Sequence, residues 1–328
     1  MVRQEESGRT GRSIVGLAAL GLVVVSVVIM AQRQVGHKPE IAGQPGSAAT
    51  GAGASTRPAA PPNAMATNTV AHLDIEYAAH DPVLNTLDLY GPADAKGAPV
   101  VIFVHGGEWS RGDKQPVSYK PKFFNENGII FITTNYRLSP KAPHPAQVDD
   151  VAEAVKWVHD HIGEYGGDPA KMVLMGHSAG CHIVTYVGLN PEPLGKVGLK
   201  PSDLKGVVAW SGGMYDLADR YKGGGMYKPF IKATFGEAED AQRAGSPLTY
   251  AGNAKDGPRF LMASTDEERA KTSREASEKM ITKIIEAGGS AKAETLAGRS
   301  HRGAIEQLGA PDDKTGAELL DFIHSVTR

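Results

Sequence analysis

Cysteine is nearly absent from this sequence, since Cys181 is the only one among 328 residues. An intramolecular disulfide is therefore excluded, and the fold must be held together by its core. The sequence also has no large excess of positive or negative charge, since its formal net charge is −2. Without a basic excess of the kind that binds nucleic acid, we expect no nucleic-acid partner.

Long apolar runs are absent too, apart from one near the N-terminus. Residues 14–31 carry no charge, and three arginines precede them. We interpret residues 1–31 as a membrane anchor or a signal segment, and the length of the run favours an uncleaved anchor. Positive charge before the run predicts that the rest of the chain is extracytoplasmic, in the periplasm or at the cell surface. Cleavage of the segment would instead give a secreted protein.

The next segment, residues 32–69, is rich in Ala, Gly, Pro, Ser and Thr and has almost no large apolar residues. Such a composition cannot bury enough surface to offset the entropy of ordering, so it predicts a flexible linker. Residues 70–328 are long enough for one globular domain with a sizeable core.

Within 70–328 the pattern predicts an α/β fold. Two alternating segments, His72–Tyr77 and Thr86–Tyr90, predict half-buried strands at an antiparallel edge. Short runs rich in β-branched residues follow, as strands buried on both faces require, and amphipathic helical patterns lie between them. The alternation predicts a doubly wound, mostly parallel sheet. Residues 214–251 interrupt it, either as a small cap insertion or as a long loop.

A candidate nucleophile follows one of these predicted strands. Residues 176–180 read Gly-His-Ser-Ala-Gly, directly after Met172–Met175. A Gly-x-Ser-x-Gly sequence between a strand and a helix is typical of a nucleophile elbow, in which the serine occupies a sharp, strained turn. We therefore predict that Ser178 is a nucleophile and that the backbone N–H of Ala179 lies beside it.

A second glycine-rich loop follows an earlier strand, where His105, Gly106 and Gly107 come directly after Val100–Val104. Acyl transfer passes through an oxyanion that needs preorganised donors, and glycine N–H groups can approach it without a side chain in the way. We predict that the N–H groups of Gly106, Gly107 and Ala179 form an oxyanion hole, with His105 in a structural role.

The general base and its acid are expected in the order serine, acid, histidine. His301 follows the last predicted strand, whereas His182 and His324 lie within predicted helices. We therefore predict His301 as the base. Asp266 follows the preceding strand and is the predicted acid, with the neighbouring Glu267 and Glu268 as alternatives.

These motifs together resemble a known family, the hormone-sensitive-lipase-like carboxylesterases of the α/β-hydrolase superfamily. The likeness is closest to the branch that holds arylformamidases and small feruloyl- or acetyl-esterase-like enzymes. It rests on residues 105–114, 135–140, 144–147, 165–169 and 176–182. The resemblance implies a serine hydrolase that acts on small esters or aryl amides without a cofactor or metal. The Gly-Asp-x-Asp loop usual around the acid is replaced here by residues 264–268.

Two alternatives to a carboxylesterase remain open from the sequence. An arylformamidase or another amide hydrolase would use the same fold and serine. A non-catalytic binding protein on a hydrolase fold is a hypothesis of another class, although such proteins typically lose a member of the triad and this chain retains a candidate for each. The sequence does not indicate the oligomeric state.

Overall fold

The structure is a computed structural model, and it describes residues 63–267 and 270–328. The strands are β1 Thr69–Glu76, β2 Thr86–Pro92, β3 Ala98–Val104, β4 Ile130–Thr134, β5 Gly167–His177, β6 Leu204–Trp210, β7 Arg259–Thr265 and β8 Ala291–Leu296. The α-helices are α1 Lys120–Glu126, α2 Ala146–His161, α3 Ala179–Leu189, α4 Pro191–Lys196, α5 Leu217–Lys222, α6 Lys228–Phe235, α7 Glu239–Ala244, α8 Lys271–Glu286, α9 Gly303–Glu306 and α10 Gly316–Thr327.

The strands form one sheet of eight in the order β1-β2-β4-β3-β5-β6-β7-β8. The pairs β1–β2 and β2–β4 are antiparallel, and all the other neighbours are parallel. The prediction of a doubly wound, mostly parallel sheet with an antiparallel edge is therefore confirmed. In such a sheet the ligand site lies at the carboxyl ends of the parallel strands.

The apolar strands are buried on both faces of the sheet. On β3, Val100, Ile102 and Val104 pack into one hydrophobic cluster, while Val101 and Phe103 pack into a second. Successive side chains of a strand point to opposite faces, so a strand covered by helices on both sides must be apolar at every position. This is why the central strands appear in the sequence as continuous rather than alternating apolar runs.

Between β6 and β7 the chain forms α5, α6 and α7 and then a 3₁₀ helix at Pro247–Asn253. This segment is the one that the sequence left open between a cap insertion and a loop, and the structure shows a small helical insertion. Phe235 at the end of α6 is 7% exposed and packs against the core. The insertion is therefore joined to the body of the domain by buried contacts.

Contacts of the domain include residues a few positions before the predicted boundary at residue 70. The N–H of Ala64 donates to the carbonyl of Ser118 at 2.9 Å, and Ala66 is buried. The predicted anchor at 1–31 and most of the predicted linker lie outside the described residues. Within 63–267 and 270–328, no helix is long and apolar enough to cross a membrane.

Candidate active site

Ser178 lies in the turn that joins the end of β5 to the start of α3. Its φ of 56° and ψ of −115° place it in a backbone region that non-glycine residues seldom adopt. The turn closes because its flanking residues lack side chains. A Cβ on Gly180 would clash with the carbonyl of Val104, and one on Gly176 would clash with that of Gly180. The geometry is that of the predicted elbow, at the carboxyl edge of the sheet.

The imidazole of His301 lies against this serine. Its Nε2 is 3.0 Å from Ser178 Oγ, and its Nδ1 is 2.9 Å from the Oγ of Ser211. With the proton on Nδ1, the ring donates to Ser211 and accepts from the Ser178 hydroxyl through Nε2. That tautomer can take the proton of Ser178 as the hydroxyl attacks.

The loop that carries His301 is fixed by hydrogen bonds to its backbone. Nε2 of His177, the residue before the nucleophile, lies 2.9 Å from the carbonyl of His301. The carboxylate of Glu267 accepts from the His301 N–H at 3.1 Å. Burial lowers the pKa of His177 to about 3, so this ring stays neutral and donates to the carbonyl. The elbow and the histidine loop are thus held together directly.

Asp266 follows the end of β7, as the sequence predicts, but its carboxylate does not hydrogen-bond the imidazole of His301. Both its oxygens accept from the N–H of Gly298 at 3.1 Å, in the loop that leads to His301. Glu267 is bound to the backbone of His301, and Glu268 lies outside the described residues. The role of Asp266 as the acid therefore stays a prediction.

The glycines after β3 lie beside the serine. A Cβ on Gly106 would approach Ser178 Cβ to 2.8 Å, which is closer than real side chains come. Gly107 has a φ of 121°, a conformation that strongly favours glycine. Within the described part of the chain, the N–H groups of Gly106, Gly107 and Ala179 donate to no other group. They are therefore available to an oxyanion, and their role as oxyanion donors stays a prediction.

The buried side chain of His182 supports the loop that follows β3. Nε1 of Trp109 donates to Nδ1 of His182 at 3.2 Å, and Nε2 of His182 lies 2.8 Å from the carbonyl of Gly245. His182 therefore joins the loop after β3, helix α3 and the end of the insertion. Its position one helical turn after Ser178 is explained by this structural role.

Two cavities meet at the serine. The larger, of about 590 Å³, is lined by Gly106, Gly107, Ser178 and His301 among others. The smaller, of about 40 Å³, lies between Trp109, Ala179, Met214 and Tyr227 and also reaches Ser178 and His301. The acyl part and the alcohol part of an ester bound at Ser178 could therefore each occupy one of the two cavities. In the described ranges, no group of three or more His, Cys, Asp or Glu is arranged to hold a metal ion.

Three residues of the site were not found from the sequence: Ser211, His177 and Lys120. Ser211 follows the end of β6, in a Trp-Ser-Gly-Gly segment that could have indicated a turn at the carboxyl edge. His177 lies inside the recognised motif, at the position that the motif leaves variable. Lys120 carried no sequence signal, because only the tertiary structure places the start of α1 at the larger cavity.

Comparison with known proteins finds relatives of this chain that are named esterases. Residues 87–283 match the BD-FAE family, which is more than half of the chain. The chain is 32% identical over 177 residues to the esterase LipQ of Mycobacterium tuberculosis, covering 51% of this chain and 42% of LipQ. It is 31% identical over 248 residues to the probable isoprenylcysteine alpha-carbonyl methylesterase ICMEL1 of Arabidopsis thaliana, covering 68% and 52%. The chain thus spans about half the length of these curated relatives.

Solved structures share the fold at lower identity. A truncated carbohydrate esterase from gut microbiota has a TM-score of 0.65 and 21% identity, covering 80% of this chain and 99% of that one. Esterase B from Lactobacillus rhamnosis has a TM-score of 0.67 and 17% identity, covering 81% and 88%. These likenesses show the α/β-hydrolase fold. Because the family match covers more than half of the chain and includes Ser178, the chain belongs to the BD-FAE family.

Proposed function

We propose that this protein hydrolyses carboxylic esters of small acyl or aryl groups through an acyl-enzyme on Ser178. The observation that carries the proposal is the distance of 3.0 Å between Ser178 Oγ and His301 Nε2, at a strained elbow where two cavities meet. A serine hydroxyl is a weak nucleophile until an adjacent base removes its proton. The names of the relatives, esterase and methylesterase, support the same class of bond.

In the proposed reaction, Ser178 attacks the acyl carbon while His301 takes the serine proton. The oxyanion that forms accepts from the N–H groups of Gly106, Gly107 and Ala179, and losing one such donor typically raises the barrier by about 2.7–4 kcal/mol. The protonated imidazole then gives its proton to the leaving alkoxide. Water repeats the sequence on the acyl-enzyme and releases the acid.

We keep Asp266 as the proposed acid. Its place after β7 and its bond to Gly298, in the loop of His301, support this role. An acid in this position fixes the imidazole tautomer and stabilises the imidazolium. To do so, the carboxylate must reach Nδ1, where the hydroxyl of Ser211 lies 2.9 Å away. Mutation of Asp266 and of Ser211 can therefore separate the two roles.

The nucleophile is tested with Ser178→Ala. We expect hydrolysis of p-nitrophenyl acetate to fall by at least about a thousandfold, because removal of a nucleophile leaves only binding and the oxyanion donors. A fluorophosphonate probe should label wild-type Ser178 and leave the variant unlabelled. Circular dichroism should show the same folded spectrum for both proteins.

The matched control is Ser202→Ala, in the short 3₁₀ helix Pro201–Asp203 that precedes β6 at the opposite edge of the sheet. This variant should keep wild-type turnover and labelling. If Ser178→Ala kept wild-type turnover, Ser178 would not be the nucleophile. Failure of the probe to label the wild-type protein would revive the hypothesis of a non-catalytic binding protein.

We also propose that residues 14–31 attach the chain to a membrane, with the catalytic domain outside the cytoplasm. Support comes from the uncharged apolar run and the arginines before it. Fractionation of cells expressing the full chain or a chain lacking residues 1–31 tests this. The full chain should sediment with membranes and resist carbonate extraction, and the shortened chain should not. If the two proteins were distributed in the same way between the membrane and the supernatant fractions, the proposed membrane attachment would be wrong.

A further inference from the structure

The larger cavity contains a buried cation that the proposed mechanism does not use. Lys120, the first residue of α1, is 4% exposed and lines the same cavity as Ser178 and His301. Burying a charged ammonium without an opposite charge costs free energy unless a partner compensates for the lost water. Its burial in this place therefore needs a reason.

Within residues 63–267 and 270–328, the ammonium of Lys120 forms no ion pair and no hydrogen bond through its side chain. Its Nζ lies 5.4 Å from the centre of the Phe103 ring, which is itself part of the cavity wall. A cation over an aromatic face is stabilised by much less than a paired one. Burial lowers the pKa of Lys120 to about 8, so the ammonium is still mostly charged at pH 7.

The carboxylates around the cavity have partners of their own. These contacts are Glu108 with Arg111 at 2.7 Å, Glu306 with Arg302 at 2.6 Å, and Asp113 with the N–H of Gln115 at 2.8 Å. The histidines His105 and His177 in the wall add no positive charge, because burial lowers their pKa values to about 4 and 3. Among the described residues, Lys120 thus has no hydrogen-bond acceptor for its buried ammonium, and the charge of Glu306 offsets only part of the effect of burial on its pKa.

We propose that the cavity of Lys120 is a subsite for a carboxylate carried by the substrate, so that the enzyme prefers esters with an anionic acyl or alcohol part. This inference rests on ester hydrolysis at Ser178 and adds the class of substrate. An ammonium is a donor only, and its strongest partner in a water-poor site is an ionised carboxylate. The volume of about 590 Å³ accepts such a group, whereas the cavity of about 40 Å³ suits the small remainder of the ester.

The test uses two pairs of esters that differ in charge and hardly in shape. Monomethyl glutarate against the methyl ester of glutaramic acid places the charge in the acyl part. Para-acetoxybenzoate against para-acetoxybenzamide places it in the leaving group. The readout is the ratio of kcat/KM for the carboxylate ester to that for its amide, measured in a pH-stat. We expect the wild-type ratio to exceed one in at least one pair.

Lys120→Met removes the charge and keeps the length of the side chain. We expect it to lower the favoured ratio by about tenfold or more, because a charge-assisted hydrogen bond is lost. Lys120→Arg should retain most of the preference. The matched control is Lys122→Met on the same helix, where the ammonium is exposed and paired with Glu126, and its ratio should equal that of the wild type.

A second measurement needs only the wild-type protein. The titratable and charged groups that line the cavity with Lys120 are His105, Glu108, Arg111, Asp113, His177, His301, Arg302 and Glu306. The ratio should fall as pH rises through about 8, where free Lys120 loses its proton.

A wild-type ratio below one in both pairs, or an unchanged ratio in Lys120→Met, would overturn the anionic subsite. Either result leaves ester hydrolysis standing as long as the amide esters are cleaved and Ser178→Ala is inactive. Absence of hydrolysis of all four esters, together with failure of the fluorophosphonate probe, would instead count against the proposed function. The two failures are therefore distinguishable.

Discussion

The side chain of Ser211 occupies the place around His301 where a triad acid is expected to bind. Its hydroxyl is 2.9 Å from Nδ1, is buried, and is held in position by a backbone with a φ of 63°. A neutral hydroxyl can fix the ring tautomer, but it stabilises a protonated imidazole less than a carboxylate does. Asp266, bound to Gly298, is the charged residue that the sequence predicts for this task.

Asp266→Asn and Ser211→Ala separate these two positions. If Asp266 is the acid, its replacement should lower kcat on p-nitrophenyl acetate by at least about a hundredfold, because the imidazolium loses its counter-charge. Ser211→Ala removes one neutral hydrogen bond and should lower kcat by about tenfold. The measurement is steady-state kinetics from pH 5 to 9. A larger loss in Ser211→Ala than in Asp266→Asn would assign the orienting role to the hydroxyl.

Glu267→Gln serves as the control for the acidic cluster. Its carboxylate accepts from the backbone N–H of His301, and glutamine retains an acceptor oxygen there. We expect a loss smaller than that of Asp266→Asn. If Glu267→Gln lowers kcat more than Asp266→Asn does, Glu267 rather than Asp266 is the acid.

At the scale of elements, the loop after β3 depends on the helical insertion for its position. Trp109 in that loop packs edge-on against Phe235 at the end of α6, with ring centres 5.1 Å apart. It packs in the same way on His182, on helix α3, at 5.2 Å. Gly106 and Gly107, the proposed oxyanion donors, precede Trp109 in the chain, so the insertion contacts the proposed catalytic site through aromatic side chains.

Phe235→Ala should therefore affect both stability and turnover. Truncating a buried phenylalanine leaves a cavity that typically costs about 3–5 kcal/mol in the free energy of unfolding. Loss of support for Trp109 should lower kcat more than it raises KM, because the oxyanion donors act in the transition state. Urea unfolding and p-nitrophenyl acetate kinetics measure the two effects.

Phe230→Ala is the matched control on the same helix, at a half-buried position. It should cost less stability and leave kcat near the wild-type value. Equal kcat losses in the two variants would mean that the contact with Trp109 has no special part in turnover.

At the scale of the whole molecule, the domain buries several histidines in neutral form. Burial lowers the pKa of His105 to about 4 and those of His177 and His182 to about 3, against an ordinary value of 6.5. In the unfolded chain these rings take up a proton as the pH falls through 6.5, while in the folded chain they do not. The unfolded state therefore binds more protons between these values, and the fold loses stability as the medium becomes acidic.

We predict that the free energy of unfolding declines steadily from pH 7 to pH 5. Each fully buried histidine contributes a slope of up to about 1.4 kcal/mol per pH unit in this window. Urea unfolding at a series of pH values measures it. His182→Gln should lower the free energy of unfolding at pH 7. It should also reduce the slope of that free energy against pH by about the contribution of one buried histidine.

His159→Gln, at an exposed position on α2, is the control and should keep the wild-type slope. A slope in His182→Gln equal to that of the wild type would show that this ring is not held neutral in the fold.

Much of the architecture is determined by the sequence alone, because its causes are local. Runs such as Val100–Val104 are apolar at every position only if both faces of a strand are covered, and the five strands from β3 to β7 were predicted on this basis. The elbow at Ser178 and the glycines at 106 and 107 are recognisable because tight turns and close approaches exclude side chains. The order serine, then acid, then histidine predicted His301 as the base, and the Nε2 atom of its ring lies within hydrogen-bond distance of Ser178 Oγ.

Other features were decided only by tertiary structure, because they depend on which distant segments meet. Residues 214–251 have no strong period, and their helices are held by contacts such as Phe235 with Trp109. Ser211 reaches His301 across 90 residues of chain, through the parallel pairing of β6 with β7 and of β7 with β8. Lys120 resembles any surface lysine in the sequence, and it is buried in the same cavity as Ser178 because α1 begins at that cavity. A sequence records the residue types that a backbone requires, whereas the partners of a polar side chain follow from how the elements are packed together.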